Sequence, residues 1–247
     1  MGKQVQNIMG EVILVASGKG GVGKTTFTAN LGATLALHGA RVVLMDLNMG
    51  LRNLDIYLGL ENEVLFDVAD VISGVCSVRK ALIRDHRFPE LYLLSAAQYK
   101  EVIGITPAHM EALFNKLKEN FDFILVDGPE GVGENLKLSA SGVDRAIVVV
   151  TPDYSALRNG DMVDRKLQEM GVASRCHLIN MVKPELFGRK VVPDLGEVAN
   201  MFRTSLAGIV QYDENVNIAN NCGYPVVCKR DTYIARNFDV IGKRLFG

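Results

Sequence analysis

The apolar positions of this 247-residue chain fall into two recurring patterns that predict a fold before any motif is considered. Uninterrupted apolar runs of strand length, as expected for strands buried on both faces, occur at Val12–Ala16, Val42–Met45, Phe123–Val126, Ala146–Val150 and His177–Ile179. Leu91–Leu94 and Gly208–Val210 are weaker runs of the same kind. Between them, apolar residues return with helical period over Thr25–His38, Pro107–Asn120, Ser155–Met170 and Asp231–Leu245. Strands alternating with helices predict an α/β fold, a mostly parallel twisted sheet flanked by helices on both faces. There is no repeat, low-complexity tract or Pro/Ser-rich linker, so residues 1–247 read as a single domain. Two irregular stretches, Asn48–Asp55 and Val182–Val192, are long enough to be candidate functional loops.

Charge and composition narrow the partners. A net charge of −1 supplies no global positive field, so no nucleic-acid partner is expected. The apolar runs are far shorter than the roughly 20 residues of a membrane span. Met1–Glu11 has no apolar core of a secretory signal, which makes a cytoplasmic location the expectation. Cys76, Cys176, Cys222 and Cys228 contain no C-x-x-C pair, which argues against an iron–sulfur or structural zinc site and for reduced thiols.

The chemistry begins at Gly18-Lys19-Gly20-Gly21-Val22-Gly23-Lys24-Thr25, which fits G-x-x-x-x-G-K-[ST] between an apolar strand and a helix. Glycines let successive backbone N–H groups turn toward phosphate oxygens, and the following helix adds the positive end of its dipole. Lys24 then reaches the β and γ phosphates, Thr25 puts its hydroxyl on Mg²⁺, and Thr26 supports the α-phosphate side. A bare match arises by chance in roughly one or two chains per hundred of this length, and the flanking strand and helix lower that further. Lys19 is not needed by an ordinary phosphate loop and reads either as a solvated charge or as a second functional lysine.

The whole string Lys19-Gly20-Gly21-Val22-Gly23-Lys24-Thr25-Thr26 resembles the deviant Walker A motif of the MinD/ParA family of dimeric ATPases. The resemblance extends over nearly the whole chain. Asp46-Leu47-Asn48-Met49-Gly50-Leu51-Arg52-Asn53-Leu54-Asp55 is similar to the switch I pattern D-x-D-x-G-L-R-N-L-D of the MinD branch. Asp122 to Asp127 followed by Gly128-Pro129 resembles the Walker B strand and switch II, where the family usually has D-S-P-A-G. Thr151-Pro152 with Ser155, Arg158 and Asp161, and Asn220 with Gly223-Tyr224-Pro225-Val226, match two further family segments.

This resemblance implies an Mg-ATP-dependent homodimer that places the cell-division site, with a division inhibitor and a topological regulator of hydrolysis as partners. It implies that Lys19 crosses to the partner's phosphates, that Gly20, Gly21, Val22, Gly23, Lys24, Thr25 and Thr26 hold ATP, and that Asn180 contacts adenine. It further implies that Asp127, with Asp46 and Thr25, serves Mg²⁺. Other positioning roles within the superclass, a DNA-partition ATPase or a flagellar-number regulator, remain open. A strand-end Asn such as Asn180 can also simply cap a loop.

Three departures from the family pattern matter. Asn48 stands where the second acid of D-x-D orients or deprotonates the attacking water, and an amide can bond water but cannot take its proton. Slow or absent hydrolysis with intact binding is the expectation, and a nucleotide-gated scaffold is the alternative reading. Switch II carries Gly128 and Glu130 in place of Ser and Ala, with Glu130 expected to point to solvent. Val240–Phe246 mixes apolar and basic residues as an interfacial helix does, but Tyr233–Phe246 aligns better with a packed final helix than with a membrane-surface segment.

Overall fold

A computed structural model of the chain describes residues 10–97, 104–187, 189 and 191–247. The reading of the first nine residues, and positions 188 and 190 of the Val182–Val192 stretch, lie outside these.

In chain order the elements are β1 (Glu11–Ser17), α1 (Lys24–Leu37), β2 (Val42–Asp46), α2 (Leu54–Tyr57), α3 (Val68–Ile72), α4 (Val78–Ala81), β3 (Ile83–Arg84) and β4 (Leu91–Leu94). They continue with α5 (Pro107–Lys118), β5 (Phe123–Glu130), α6 (Glu134–Ala140), β6 (Arg145–Val150), α7 (Tyr154–Glu169), β7 (Ser174–Val182), α8 (Leu195–Met201), β8 (Ser205–Gln211), α9 (Glu214–Asn221) and α10 (Tyr233–Phe246). All seven apolar runs are strands and all four periodic segments are helices. The eight strands form one sheet in the order β3-β4-β2-β5-β1-β6-β7-β8, parallel throughout except for the β3–β4 pair.

The alternation along β1 shows why its run is apolar without a break. Ile13 and Val15 face a core built with Phe27 and Leu31 of α1 and Phe238 and Ile241 of α10, while Val12, Leu14 and Ala16 face a second core with Phe114 of α5 and Leu157 of α7. Both faces of the central strand are covered, so after the half-buried Glu11 no position on it is left for a polar side chain until Ser17.

Helix starts follow their capping chemistry. The Thr106 hydroxyl accepts from His109 N–H with Pro107 at the first helical position of α5, Asp153 accepts from Ala156 N–H at α7, and Thr232 accepts from Ala235 N–H at α10. The apolar side of α10 is spent on the interior: the Phe238 and Phe27 rings lie 5.8 Å apart, and Gly208 of β8 leaves room for Ile241. No helix among the described residues is long and apolar enough to cross a membrane.

Because the central parallel strands all point the same way, the loop after β1, the loop after β2 and the end of β5 meet at one edge of the sheet. The order β2-β5-β1 places Asp46 opposite Asp127 and Val15 opposite Asp127 in register. Ligand sites of open α/β sheets form outside this carboxyl edge.

Candidate functional site

The loop between Ser17 and Lys24 is shaped by its glycines. Gly21 and Gly23 have φ of 74° and 88°, left-handed values that a side chain resists. Gly23 also lies against the Asn180 amide, and Gly18 packs on the backbone of Asn159 in α7, so neither position has room for a Cβ. Gly23 is the N-cap of α1, it offers no side-chain cap, and the first turn carries no carboxylate. The amino end of this 14-residue helix is therefore left for an external anion.

Lys24 supplies a positive charge at that point. Its side chain is only 8% exposed, its Nζ donates to Ser17 Oγ at 2.9 Å, and among the described residues it forms no ion pair. The Ser17 hydroxyl in turn donates to Lys19 O at 2.8 Å, which ties the lysine to the loop. Burial lowers the Lys24 pKa, against the opposing charges of Asp127 and Glu130. A buried ammonium with a neutral partner is an unfinished charge pair.

Next to it, the Thr25 hydroxyl donates to Asp127 Oδ2 at 2.6 Å and Asn48 Nδ2 donates to the same oxygen at 3.1 Å. Asp127 is fully buried, and its Oδ1 accepts no hydrogen bond among the described residues. Burial and the neighbouring Asp46 raise its pKa. Asp46, also fully buried, differs in its bonding: its Oδ1 accepts from Asn48 N–H at 2.8 Å and its Oδ2 from Asn53 and Leu54 N–H at 3.2 Å each. These bonds fasten the switch I loop to the end of β2 and occupy both Asp46 oxygens. Burial raises the Asp46 pKa, opposed by those backbone bonds.

Lys19 lies apart from this buried group. It is half exposed, and its Nζ reaches Ser155 Oγ at 3.1 Å and Asp153 Oδ1 at 3.4 Å. Asn180 sits two residues before the end of β7, ahead of Met181, whose φ of 56° is the one left-handed value at a non-glycine residue among those described. Its Nδ2 donates to Val22 O at 2.8 Å, bracing the phosphate loop from the side where a small cavity is lined by Thr26, Val210 and Tyr212.

Glu130 departs from the expectation of a side chain aimed away from the site. It is exposed, yet its Oε2 lies against Gly20, in the space a Cβ there would need. The cause is strand pairing. β5 runs on past Asp127 and sets Glu130 opposite Ser17, with Gly131 N–H donating to Ser17 O. Gly128 is required by the same packing, since a Cβ there would fall 2.7 Å from Leu14 Cδ1 and 2.9 Å from Val15 O.

Several contributors escaped sequence reasoning. Ser17, the partner of Lys24, precedes the motif; Asn220, whose Nδ2 donates to Thr26 Oγ1 at 2.9 Å, was visible only as the first residue of a C-terminal motif. Asp153, which holds Lys19, reads in sequence only as a helix cap.

The site's parts thus amount to an anion receptor next to a buried carboxylate with a free oxygen. Comparison with known proteins agrees with this assignment. The family model of the CobQ/CobB/MinD/ParA nucleotide binding domain matches residues 13–226. The septum site-determining protein MinD of Bacillus subtilis is 39% identical over 241 residues, covering 97% of this chain and 90% of its own length. The protein of the same name from Synechocystis is 38% identical over 240 residues, with the same coverage of 97% and 90%. Among solved structures, a MinC:MinD cell division protein complex of Aquifex aeolicus superposes with a TM-score of 0.90 at 34% identity, covering 96% of each chain. A MinD from Pyrococcus horikoshii complexed with Mg-ADP gives 0.86 at 27% identity, again with 96% of each chain. On fold, site geometry and sequence together, this chain belongs to the CobQ/CobB/MinD/ParA nucleotide-binding family.

Proposed function

We propose that the chain is one ATP-binding domain that works as an Mg-ATP-dependent dimerising switch in placing the cell-division site. The observation that carries this reading is Lys24: a buried ammonium with no carboxylate partner among the described residues, beside an uncapped helix terminus, is a receptor for phosphate. The septum-site names of the relatives supply the cellular role, and the Aquifex MinC:MinD complex supports a Min-type protein partner, which in this reading is a division inhibitor.

In this reading the backbone of Gly20–Gly23 and the hydroxyls of Thr25 and Thr26 hold the phosphates, with Asn180 bracing the loop on the base side. The residues present fit Mg²⁺: the Thr25 hydroxyl and the buried Oδ1 of Asp127, which accepts no hydrogen bond among the described residues, would hold it, and a cation there would offset the cost of an ionised Asp127. The ion supplies charge neutralisation at the phosphates. Asp46, with both oxygens occupied, serves it by holding switch I and contributing its charge rather than by direct ligation. Lys19, held at the surface by the exposed Asp153 pair and the Ser155 hydroxyl, can swing across to the phosphates of a second subunit and stabilise charge there. Asn48 makes hydrolysis slower than a carboxylate at that position would, because its amide cannot itself accept the proton of the attacking water. The protein acts in the cytoplasm and meets its partners at the inner face of the membrane.

The same Asn48 favours a second reading, a nucleotide-gated scaffold that dimerises with ATP and scarcely turns it over. Light scattering with and without Mg-ATP, paired with phosphate release by the chain and its Asn48→Asp variant, separates the two. ATP-dependent dimers with turnover that rises in the variant support the switch. Dimers with no turnover in either support the scaffold, and the absence of ATP-dependent dimers sinks both.

A further inference from the structure

The Asn48 side chain leaves open which group, if any, takes the proton of the attacking water, and the carboxylates around the phosphate loop can be judged one by one. Asp46 is fully buried with both oxygens on backbone N–H groups. Asp127 is fully buried, and its Oδ2 already accepts from Thr25 and Asn48. Asp153 accepts from Thr151, Ser155 and Ala156 N–H; although partial burial works the other way, these bonds and the Lys19 charge bring its pKa down to about 2, which makes it a poor base. Glu130 differs from all three. It is open to water, no hydrogen bond or ion pair to its carboxylate occurs among the described residues, and its Oε2 rests on Gly20 of the phosphate loop, near enough for its charge to act on Lys24. β5–β1 pairing sets the Glu130 backbone opposite Ser17, at the start of the phosphate loop.

We propose that Glu130 holds the attacking water beside the γ-phosphate and accepts its proton, so that the carboxylate absent at residue 48 is supplied from the end of β5. The proposal rests on the ATPase reading above. In the step, a water O–H bond breaks and its proton passes to Glu130, while the water oxygen bonds to the γ-phosphorus. The bond from that phosphorus to the β,γ-bridging oxygen breaks, and its electron pair leaves with ADP. Glu130 then returns the proton to inorganic phosphate. Gly20 has a second use in this arrangement, because any side chain there would push the carboxylate off the loop.

The test is single-turnover hydrolysis of saturating Mg-ATP by the full chain, the E130Q variant and the N48D/E130Q double variant, with affinity measured separately by titration of a ribose-labelled fluorescent ATP. The expected result is a fall in rate of about 100-fold in E130Q, the usual scale of a lost general base, with affinity unchanged within about two-fold and turnover recovered in N48D/E130Q. Recovery by a carboxylate at a different position distinguishes a chemical role from a structural one. Hydrolysis by E130Q at the parent rate, or a double variant that binds ATP yet stays as slow as E130Q, overturns the proposal. A parent chain that binds Mg-ATP and never turns it over also overturns it while leaving the nucleotide switch standing. A parent chain that binds no ATP removes the ATPase reading itself.

Discussion

Asn48 Nδ2 donates a hydrogen bond to Asp127 Oδ2 at 3.1 Å, joining the loop after β2 to the end of the neighbouring strand β5. The amide thus does something a carboxylate could not: it donates to an oxygen that already accepts from Thr25, in a pocket that also holds Asp46. Asn48→Asp is expected to lose this bond and place a third carboxylate there. Without ligand, the variant should be less stable by about 1–3 kcal/mol near pH 8, the scale of a lost hydrogen bond to a charged group. Urea denaturation with and without Mg-ATP checks this, since the nucleotide complex should recover most of the loss.

Lys24→Met should separate binding from stability. The substitution replaces a buried ammonium whose one hydrogen-bond partner among the described residues is the Ser17 hydroxyl by an apolar side chain of similar length. Stability of the ligand-free chain is expected to hold or to rise by about 1 kcal/mol, while ATP affinity falls at least ~100-fold, the scale of a lost charge-assisted contact to phosphate. Calorimetric titration alongside thermal denaturation reads both, and equal ATP affinity in the two proteins would contradict the site.

Acid and base should act in opposite senses on the free and the liganded chain. Burial raises both Asp46, to about 6, and Asp127, to about 7, with the neighbouring charge of Asp46 adding to the rise at Asp127. Raised acids stabilise the ligand-free fold below the unfolded carboxylate value of about 3.9, and that contribution is lost as pH climbs through about 7. Binding of Mg²⁺ requires ionised Asp127, so the rise in melting temperature on adding Mg-ATP should be larger at pH 8 than at pH 5.5. A shift of equal size at both pH values would contradict the role given to Asp127.

Lys19→Ala should leave the monomer nearly intact, because the exposed 3.4 Å pair with Asp153 contributes no more than about 0.5 kcal/mol. Binding of Mg-ATP by one subunit is expected to change by less than about threefold, since a solvated charge adds little, whereas ATP-dependent dimerisation should be lost. Analytical ultracentrifugation at matched protein concentration detects the difference, and dimers of normal stability in the variant would remove the trans role of this lysine.

Much of this site can be read without coordinates, and the reason is locality. The apolar runs such as Val12–Ala16 and Ala146–Val150 are strands because nothing but burial on both faces suits them, and Gly18–Thr25 is a phosphate loop because its glycines, lysine and hydroxyl act within eight consecutive residues. Short elements carried no such pattern: α2, α4 and the antiparallel edge strand β3 are two to four residues long and exist through their neighbours. What tertiary structure alone decided is which distant side chains meet. Strand order brings Asn48 to Asp127, Asn220 to Thr26 and Asp153 to Lys19, and the continuation of β5 opposite Ser17 leaves Glu130 exposed, as its sequence context suggests, yet against Gly20. Residue type and spacing specify which groups are available, but parallel strands joined by long crossovers bring together positions such as Thr26 and Asn220, 194 residues apart, and only the packed sheet determines which of them touch.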